Sequence, residues 1–171
     1  MRDLFILFFL ILIFNGCEKN DLWKEKVKKG DYYFANRNID MALKYWIESL
    51  QIKNDLLTYE KIVVSLIIKN DLKEAKNYAL IGLTYFNDCD NPLFNLGVIE
   101  FYLGEYENAL KRMDNLILKN RYYPDAHYMK GLIYQKLGKI EEAKKEFIEE
   151  INLNPGSKKS WIKLREMKNE K

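Results

Sequence analysis

A repeat of 33–34 residues constrains this chain more than any other feature of its sequence. Four alanines occupy equivalent places at intervals of 33, 34 and 34 residues, namely Ala42, Ala75, Ala109 and Ala143. The residues three positions before them are Ile39, Leu72, Tyr106 and Ile140. The residues four positions after them are Trp46, Ala79, Met113 and Phe147. A fixed period of this length indicates a stacked array of similar units, each too small to bury its apolar face alone.

Small and turn-forming residues repeat with the same period. The small position precedes each alanine by 12 residues and holds Gly30, Val63, Gly97 and Gly131. A turn position holds Arg37, Asn70, Gly104 and Gly138, and the three prolines stand at repeat edges, at Pro92, Pro124 and Pro155. Small residues at fixed places let two helices approach closely, and bulky residues then fill the space between units.

The composition favours helices throughout. Thr occurs only at Thr58 and Thr84, the chain has 8 Gly and 3 Pro, and its hydrophobic fraction of 48% is enough for a sizeable core. Scarce turn residues and scarce β-branched residues other than Ile argue against strands. The periodicity predicts helices near 21–36, 39–53, 55–69, 72–86, 91–103, 106–119, 124–137, 140–153 and 158–169.

The pattern resembles the tetratricopeptide repeat, a 34-residue helix–turn–helix unit. The stretches NLGVIEFYLGEYENAL and YMKGLIYQKLGKIEEAKKEFIEEINLNP carry the resemblance best, whereas the second repeat departs from it at Val63 and Ala79. The resemblance implies an all-α, right-handed α-solenoid of about four repeats. We expect them over 22–155, with units at 22–55, 56–89, 90–123 and 124–157, followed by a capping helix within 158–171 whose Trp161 and Leu164 face inward.

The first residues predict a lipoprotein signal peptide over 1–16. The apolar run from Leu4 to Phe14 suits a signal-peptide core and is too short to span a membrane. Gly16 followed by Cys17 resembles a relaxed bacterial lipobox, which implies lipid attachment at Cys17 and a short tether over 17–21. Ordinary secretory cleavage and an uncleaved short anchor are the alternatives. The predicted location is the bacterial cell envelope, facing the periplasm or the cell exterior.

The resemblance also implies a partner-binding groove along the first helix of each repeat. Its apolar and aromatic middle is predicted from Val64, Ile67, Ile68, Phe94, Val98, Phe101, Tyr102, Tyr128 and Leu132. The repeat-one positions of this groove are Asp31, Phe34 and Ala35. An exposed apolar surface marks a partner site, so we expect an amphipathic helix or an extended apolar peptide there. The alternative is that neighbouring helices cover these residues.

Other ligand classes have little support. Some family members grip acidic C-termini with Lys and Asn side chains, but the equivalent places here hold Val27, Asp31 and Lys61, which disfavours such a receptor. Lys and Arg number 28 and Asp and Glu 25, so the net charge of +3 does not indicate a nucleic-acid binder. Two Cys and one His leave no room for a zinc site or a disulfide framework, and no cofactor is expected.

Catalysis is not predicted. The single histidine, His127, is read as a packing residue, and no nucleophile and base can be assembled around it. The adjacent pairs Glu141/Glu142 and Glu149/Glu150 are read as surface charges. The sequence therefore predicts a non-catalytic, membrane-anchored scaffold for another protein. The alternatives are a structural subunit of an envelope assembly complex, of the outer-membrane-protein or pilus biogenesis type, and a recruiting regulator of a cell-wall enzyme.

Overall fold

The structure is a computed structural model that describes the backbone of residues 2–169 and the side chains of residues 19–168. Over that backbone the chain forms nine helices and no strand. They are α1 (Arg2–Ala35), α2 (Ile39–Leu50), α3 (Leu56–Ile68), α4 (Leu72–Tyr85), α5 (Asp90–Tyr102), α6 (Tyr106–Lys119), α7 (Ala126–Lys136), α8 (Ile140–Leu153) and α9 (Lys158–Asn169). The predicted all-α architecture is confirmed.

The helices fall into two compact units, Met1–Lys69 and Asn70–Lys171. In the first unit α2 packs on α1 and on α3. In the second unit each helix from α4 to α9 packs on the next one along the chain. Within the stretch that the structure describes, no helix combines the length and the apolarity needed to span a membrane.

Short polar side chains begin three of the helices. The carboxylate or amide oxygens of Asn38, Asp55 and Asp71 accept hydrogen bonds from backbone N–H groups in the first turns of α2, α3 and α4. These N–H groups have no partner inside the helix, so such a cap stabilises the helix by about 1 kcal/mol. The caps explain why three of the predicted helices begin within a residue of the expected place.

The four turn positions of the repeat share one backbone conformation. Arg37, Asn70, Gly104 and Gly138 have φ values of 60°, 61°, 78° and 74°. This left-handed region costs a residue with a Cβ atom more than it costs glycine. Around Gly104 the N–H of Glu105 donates to the carbonyl of Glu100 at 2.8 Å, and around Gly138 the N–H of Lys139 donates to that of Tyr134 at 2.9 Å. These six-to-one bonds close the C-termini of α5 and α7.

Two helix pairs are brought together by a glycine that faces a bulky aromatic side chain. A Cβ atom at Gly30 would lie 2.4 Å from the ring of Trp46, and one at Gly131 would lie 2.5 Å from the ring of Phe147. Both rings are buried. In these two repeats the small position lies on the first helix, the bulky position lies on the second helix, and the two are in direct contact.

Two helix limits differ from the prediction by more than two residues. The helix expected over 21–36 is the last part of α1, which begins at Arg2. The helix expected over 39–53 ends at Leu50. The carbonyl of Ser49 accepts from the N–H groups of both Ile52 and Lys53 at 3.0 Å, which tightens the turn and ends α2.

Two predictions about side-chain burial are wrong. Trp161 is 56% exposed and does not face inward, because the buried stripe of α9 is Ser160 and Met167 with the half-buried Leu164 between them. Glu150 is buried, although we expected a surface charge. Its Oε2 accepts from the backbone N–H of Tyr128 at 3.4 Å, in the first turn of α7, where the N-cap residue Asp125 supplies no side-chain acceptor. The negative charge of Glu150 also suits this helix end.

Candidate functional site

The predicted binding residues of the first unit lie on α3 with different exposure. Val64 is 44% exposed and Ile68 is 57% exposed, whereas Ile67 is half-buried. Val64 and Ile68 are one helical turn apart and therefore share a face. This face presents apolar surface to the surroundings within the first unit.

The predicted binding residues of the second unit are mostly half-buried. Tyr102 is 60% exposed. The others are packed against a buried cluster formed by Ala109, Met113, Met129 and Ile133, and they are Phe94, Val98, Phe101, Tyr128 and Leu132. For these five, packing within the second unit is a structural role that the side chains already have. Any binding by this part of the face would use their remaining exposed edges together with Tyr102.

A pocket of about 420 Å³ lies among the three helices of the first unit. We call it the α1–α3 pocket, and it is lined by Asp31 and Phe34 of α1, Trp46 of α2, and Glu60, Lys61 and Val64 of α3. Its volume lies in the range typical of sites that take a ligand group. Asp31, Phe34 and Val64 are groove positions in the sequence pattern, so this pocket forms part of the predicted surface.

The pocket is organised around Trp46. The indole is buried because Gly30 on α1 leaves space for it. Its Nε1–H donates to Asp31 Oδ1 at 3.0 Å, and its ring lies 5.5 Å from the ring of Phe34. The ammonium of Lys61 donates to the same Asp31 oxygen at 2.6 Å. The apolar wall and its polar edge are therefore held by contacts among all three helices.

Glu60 is the polar lining residue with an unsatisfied hydrogen-bond acceptor. Its Oε1 is buried and has no hydrogen-bond partner among the described residues. A buried acceptor without a donor is costly, and the cost is higher for a charged group. Neither Glu60 nor Trp46 was among the site residues predicted from the sequence. Glu60 could have been predicted as a site residue, because it lies one helical turn before Val64 on the same face of α3.

A second cluster of charges lies in the second unit. His127 Nδ1 is 2.7 Å from Glu146 Oε2, and the ammonium of Lys130 lies 2.9 Å from both Glu146 Oε1 and Asp114 Oδ1. Burial by itself raises the pKa of Glu146, but the hydrogen bonds from His127 and Lys130 outweigh it and leave the pKa of this carboxyl below its ordinary value. The cluster joins α7 to α6 and α8, so we interpret it as a structural ion pair network.

The remaining reactive groups offer little chemistry. The described residues contain no group of three or more His, Cys, Asp or Glu side chains arranged to hold a metal ion. Cys89 is a half-buried free thiol at the N-terminus of α5. The predicted lipid attachment at Cys17 lies outside the described side chains, so this site stays a prediction.

Comparison with known proteins identifies the repeat. A family model described as "Tetratricopeptide repeat" matches residues 124–157, which are the fourth unit expected from the period. No curated protein sequence matches the chain significantly.

Solved structures with a similar fold share little sequence with the chain. "MamA 41-end from Desulfovibrio magneticus RS-1" has a TM-score of 0.77 at 19% identity, over 86% of this chain and 84% of that one. "YrrB: a TPR protein with an unusual peptide-binding site" has 0.71 at 16%, over 80% and 71%. "First TPR of Spaghetti (RPAP3) bound to HSP90 peptide SRMEEVD" has 0.62 at 21%, over 67% and 90%. At such identities the likeness shows the fold alone. The chain therefore contains a tetratricopeptide repeat at residues 124–157 and has the all-α fold of tetratricopeptide-repeat solenoids.

Proposed function

We propose that this protein is a non-catalytic scaffold that binds a segment of a partner protein on the first helices of its repeats. In the first unit the candidate contact surface is the α1–α3 pocket with the exposed side chains Val64 and Ile68. The second unit offers a separate candidate face around Tyr102. The bound segment is an amphipathic helix or an extended peptide with apolar side chains. The observation that carries the proposal is the pocket itself, whose wall is mostly apolar and open to an external side chain.

The energetics favour an apolar contact at this place. Phe34, Val64 and Ile68 are 39%, 44% and 57% exposed. Removal of apolar surface from water is worth roughly 25 cal/mol per Å², so a partner that covers these side chains gains free energy. Two structural neighbours support this type of function, since one has an unusual peptide-binding site and the other is bound to an HSP90 peptide.

We further propose that a lipid on Cys17 holds the scaffold on a bacterial envelope membrane. The support lies in the sequence: an apolar run from Leu4 to Phe14, a small residue at Gly16 and then the thiol of Cys17. Stable anchoring needs more than one acyl chain, and a diacylglycerol on a lipobox cysteine supplies two. In this arrangement the repeats face the periplasm or the cell exterior.

Paired substitutions on α3 test the binding role. Val64→Glu together with Ile68→Glu places two carboxylates on the exposed apolar face, where a bound apolar segment would have to desolvate them. We expect proteins that co-purify with the parent chain from its native cells to be lost from the variant, with helical circular dichroism unchanged. Leu118→Glu is the matched control, because Leu118 is 88% exposed and lies on α6, the second helix of the third repeat. An unchanged set of co-purifying proteins in the α3 variant would contradict the proposal.

A further inference from the structure

The outer face of α9 carries apolar side chains that the packing of this helix does not explain. The buried stripe of α9 consists of Ser160 and Met167, with the half-buried Leu164 between them, and the helix packs on α8. A helix that closes an array of repeats needs only a polar outer face. On α9, however, Trp161 and Ile162 are 56% and 55% exposed. These two side chains therefore need a contact outside the second unit.

The two apolar residues share their face of α9 with basic residues. Counted from Lys158, the helix has Trp161, Ile162, Arg165 and Lys168 at steps of 3, 4, 7 and 10 residues. This spacing places all of them on one side of a helix, and each of these side chains is exposed. We call this set the α9 stripe. It combines two large apolar side chains with three basic ones.

The three basic residues of the α9 stripe have no ion-pair partner among the described residues. The other two lysines of the helix are paired: Lys159 Nζ lies 2.5 Å from Asp125 Oδ2, and Lys163 Nζ lies 2.8 Å from Glu166 Oε2. Glu166 is the one acidic residue of α9, so its charge is matched by Lys163. The α9 stripe therefore presents unpaired positive charge to its surroundings.

An anionic phospholipid surface matches this combination of groups. Tryptophan is favoured at membrane interfaces because its ring is apolar and its N–H is polar. Helices with an apolar face and Lys or Arg residues lie in the plane of the interface, where attraction to anionic lipids adds to the burial of apolar surface. Long basic side chains can reach the headgroups while their stems stay on apolar surface. A nucleic acid would satisfy the charges but would leave Ile162 without an apolar environment.

We infer that the α9 stripe lies on anionic phospholipid of the membrane that holds the chain, with its two apolar side chains in the interface and its three basic side chains on headgroup phosphates. The inference rests on the proposed lipid anchor, which would bring the chain close to the bilayer. Two apolar side chains make a weak contact on their own, so the α9 stripe orients an anchored chain and does not retain a free one.

Photo-cross-linking on vesicles tests this contact directly. The full chain is held on the vesicles by an added N-terminal histidine tag and a nickel-chelating lipid, so the result does not depend on lipidation of Cys17. A photoreactive amino acid replaces Trp161 or Ile162, and Leu118 on α6 is the exposed apolar control. We expect the two α9 positions to cross-link phospholipid on vesicles of phosphatidylcholine mixed with phosphatidylglycerol, and much less on phosphatidylcholine alone.

The charge of the α9 stripe sets the expected size of the effect. One basic residue near an anionic surface is worth about a fivefold change in affinity. Lys158→Gln together with Arg165→Gln should therefore lower lipid cross-linking from Ile162 by up to about 25-fold. Lys73→Gln together with Lys111→Gln removes the same charge from exposed places on α4 and α6 and should leave the cross-linking nearly unchanged. Circular dichroism checks the fold of each variant.

Four results would overturn the inference. In vesicles they are equal lipid cross-linking from Leu118 and Ile162, equal cross-linking on the two kinds of vesicle, and no effect of the paired substitutions at Lys158 and Arg165. In cells it is the capture of a protein or a nucleic acid instead of phospholipid from the α9 positions. Each of these results would leave the lipid anchor standing, because that anchor is tested by Cys17→Ala and the tag replaces it on the vesicles.

Discussion

At the scale of single residues, close helix approach depends on glycines that face bulky side chains. Gly30 faces Trp46, and Gly131 faces Phe147. Gly97 differs because the nearest atom to a Cβ there would be the terminal methyl of Met113, at 2.2 Å. An unbranched methionine can move its end group, whereas a buried aromatic ring cannot do so without displacing its neighbours. The same repeat position is therefore expected to tolerate substitution to different extents.

Gly131→Ala should destabilise the second unit. Overpacking against Phe147 costs about 1–3 kcal/mol, and the higher helix propensity of alanine returns at most about 1 kcal/mol. We expect a net loss of up to about 2 kcal/mol in the free energy of unfolding, measured by urea denaturation, and a smaller loss for Gly97→Ala. Gly156→Ala is the control, since its nearest atom would be 3.5 Å away. Equal stability of Gly131→Ala and the control would contradict this account of the packing.

The residues that sequence analysis missed are those whose role depends on contacts between helices. Trp46 was recognised as a bulky repeat position, but its hydrogen bond to Asp31 requires the positions of both α1 and α2. Likewise, adjacent glutamates on a helix are normally solvated, and the burial of Glu150 follows from its place against the first turn of α7. Periodicity predicts which face a residue lies on, but not what the neighbouring helix presents there.

At the scale of helices, polar contacts of buried and half-buried side chains hold α7 in place. His127 and Lys130 of α7 both contact Glu146 of α8, and Lys130 also contacts Asp114 of α6. Glu146 and Lys130 are 13% and 17% exposed. These charges have lost much of their hydration, so removal of one partner leaves the other shielded from water and unpaired, which is destabilising.

The Glu146 cluster predicts a dependence of stability on pH. Because the pKa of Glu146 is lower in the folded chain than its ordinary value of 4.5, its ionised form stabilises the fold above that pH. This contribution is lost as the pH falls below about 4.5 and through the lowered pKa. Glu146→Gln should therefore be less stable than the parent chain at neutral pH, and thermal melts should show the difference shrinking in acid. The exposed Glu142→Gln on the same helix is the control, and a difference that stays constant with pH would refute the prediction.

Helix positions were predictable because local signals and the repeat agree. Asp55 and Asp71 begin α3 and α4, and glycines at positive φ follow α5 and α7. One exception is α2, whose apolar Ile52 extends the helical pattern although the carbonyl of Ser49 already ends the helix. Hydrophobic spacing alone does not distinguish the last helical turn from the turn that follows it.

At the scale of the whole molecule, the proposed lipid anchor would hold the proposed binding surface at a membrane. If Cys17 carries the lipid, Cys17→Ala should abolish metabolic labelling with palmitate and release the protein from the membrane fraction, since the remaining apolar run is too short to span a bilayer. Cys89→Ala, which removes a half-buried thiol, is the matched control and should label like the parent chain. Persistent labelling of Cys17→Ala would show that the lipoprotein proposal is wrong.

The central claim, that a partner segment binds on the first helices, is tested most directly by photo-cross-linking in cells. A photoreactive amino acid is placed at Val64, Ile68 or Tyr102 on the first helices, and at Leu118 or Ile148 on the second helices as apolar, exposed controls. The account predicts that the first-helix positions yield one defined cross-linked protein and that Leu118 and Ile148 do not yield it. Capture of that protein equally from both sets, or only from Leu118 and Ile148, would contradict it.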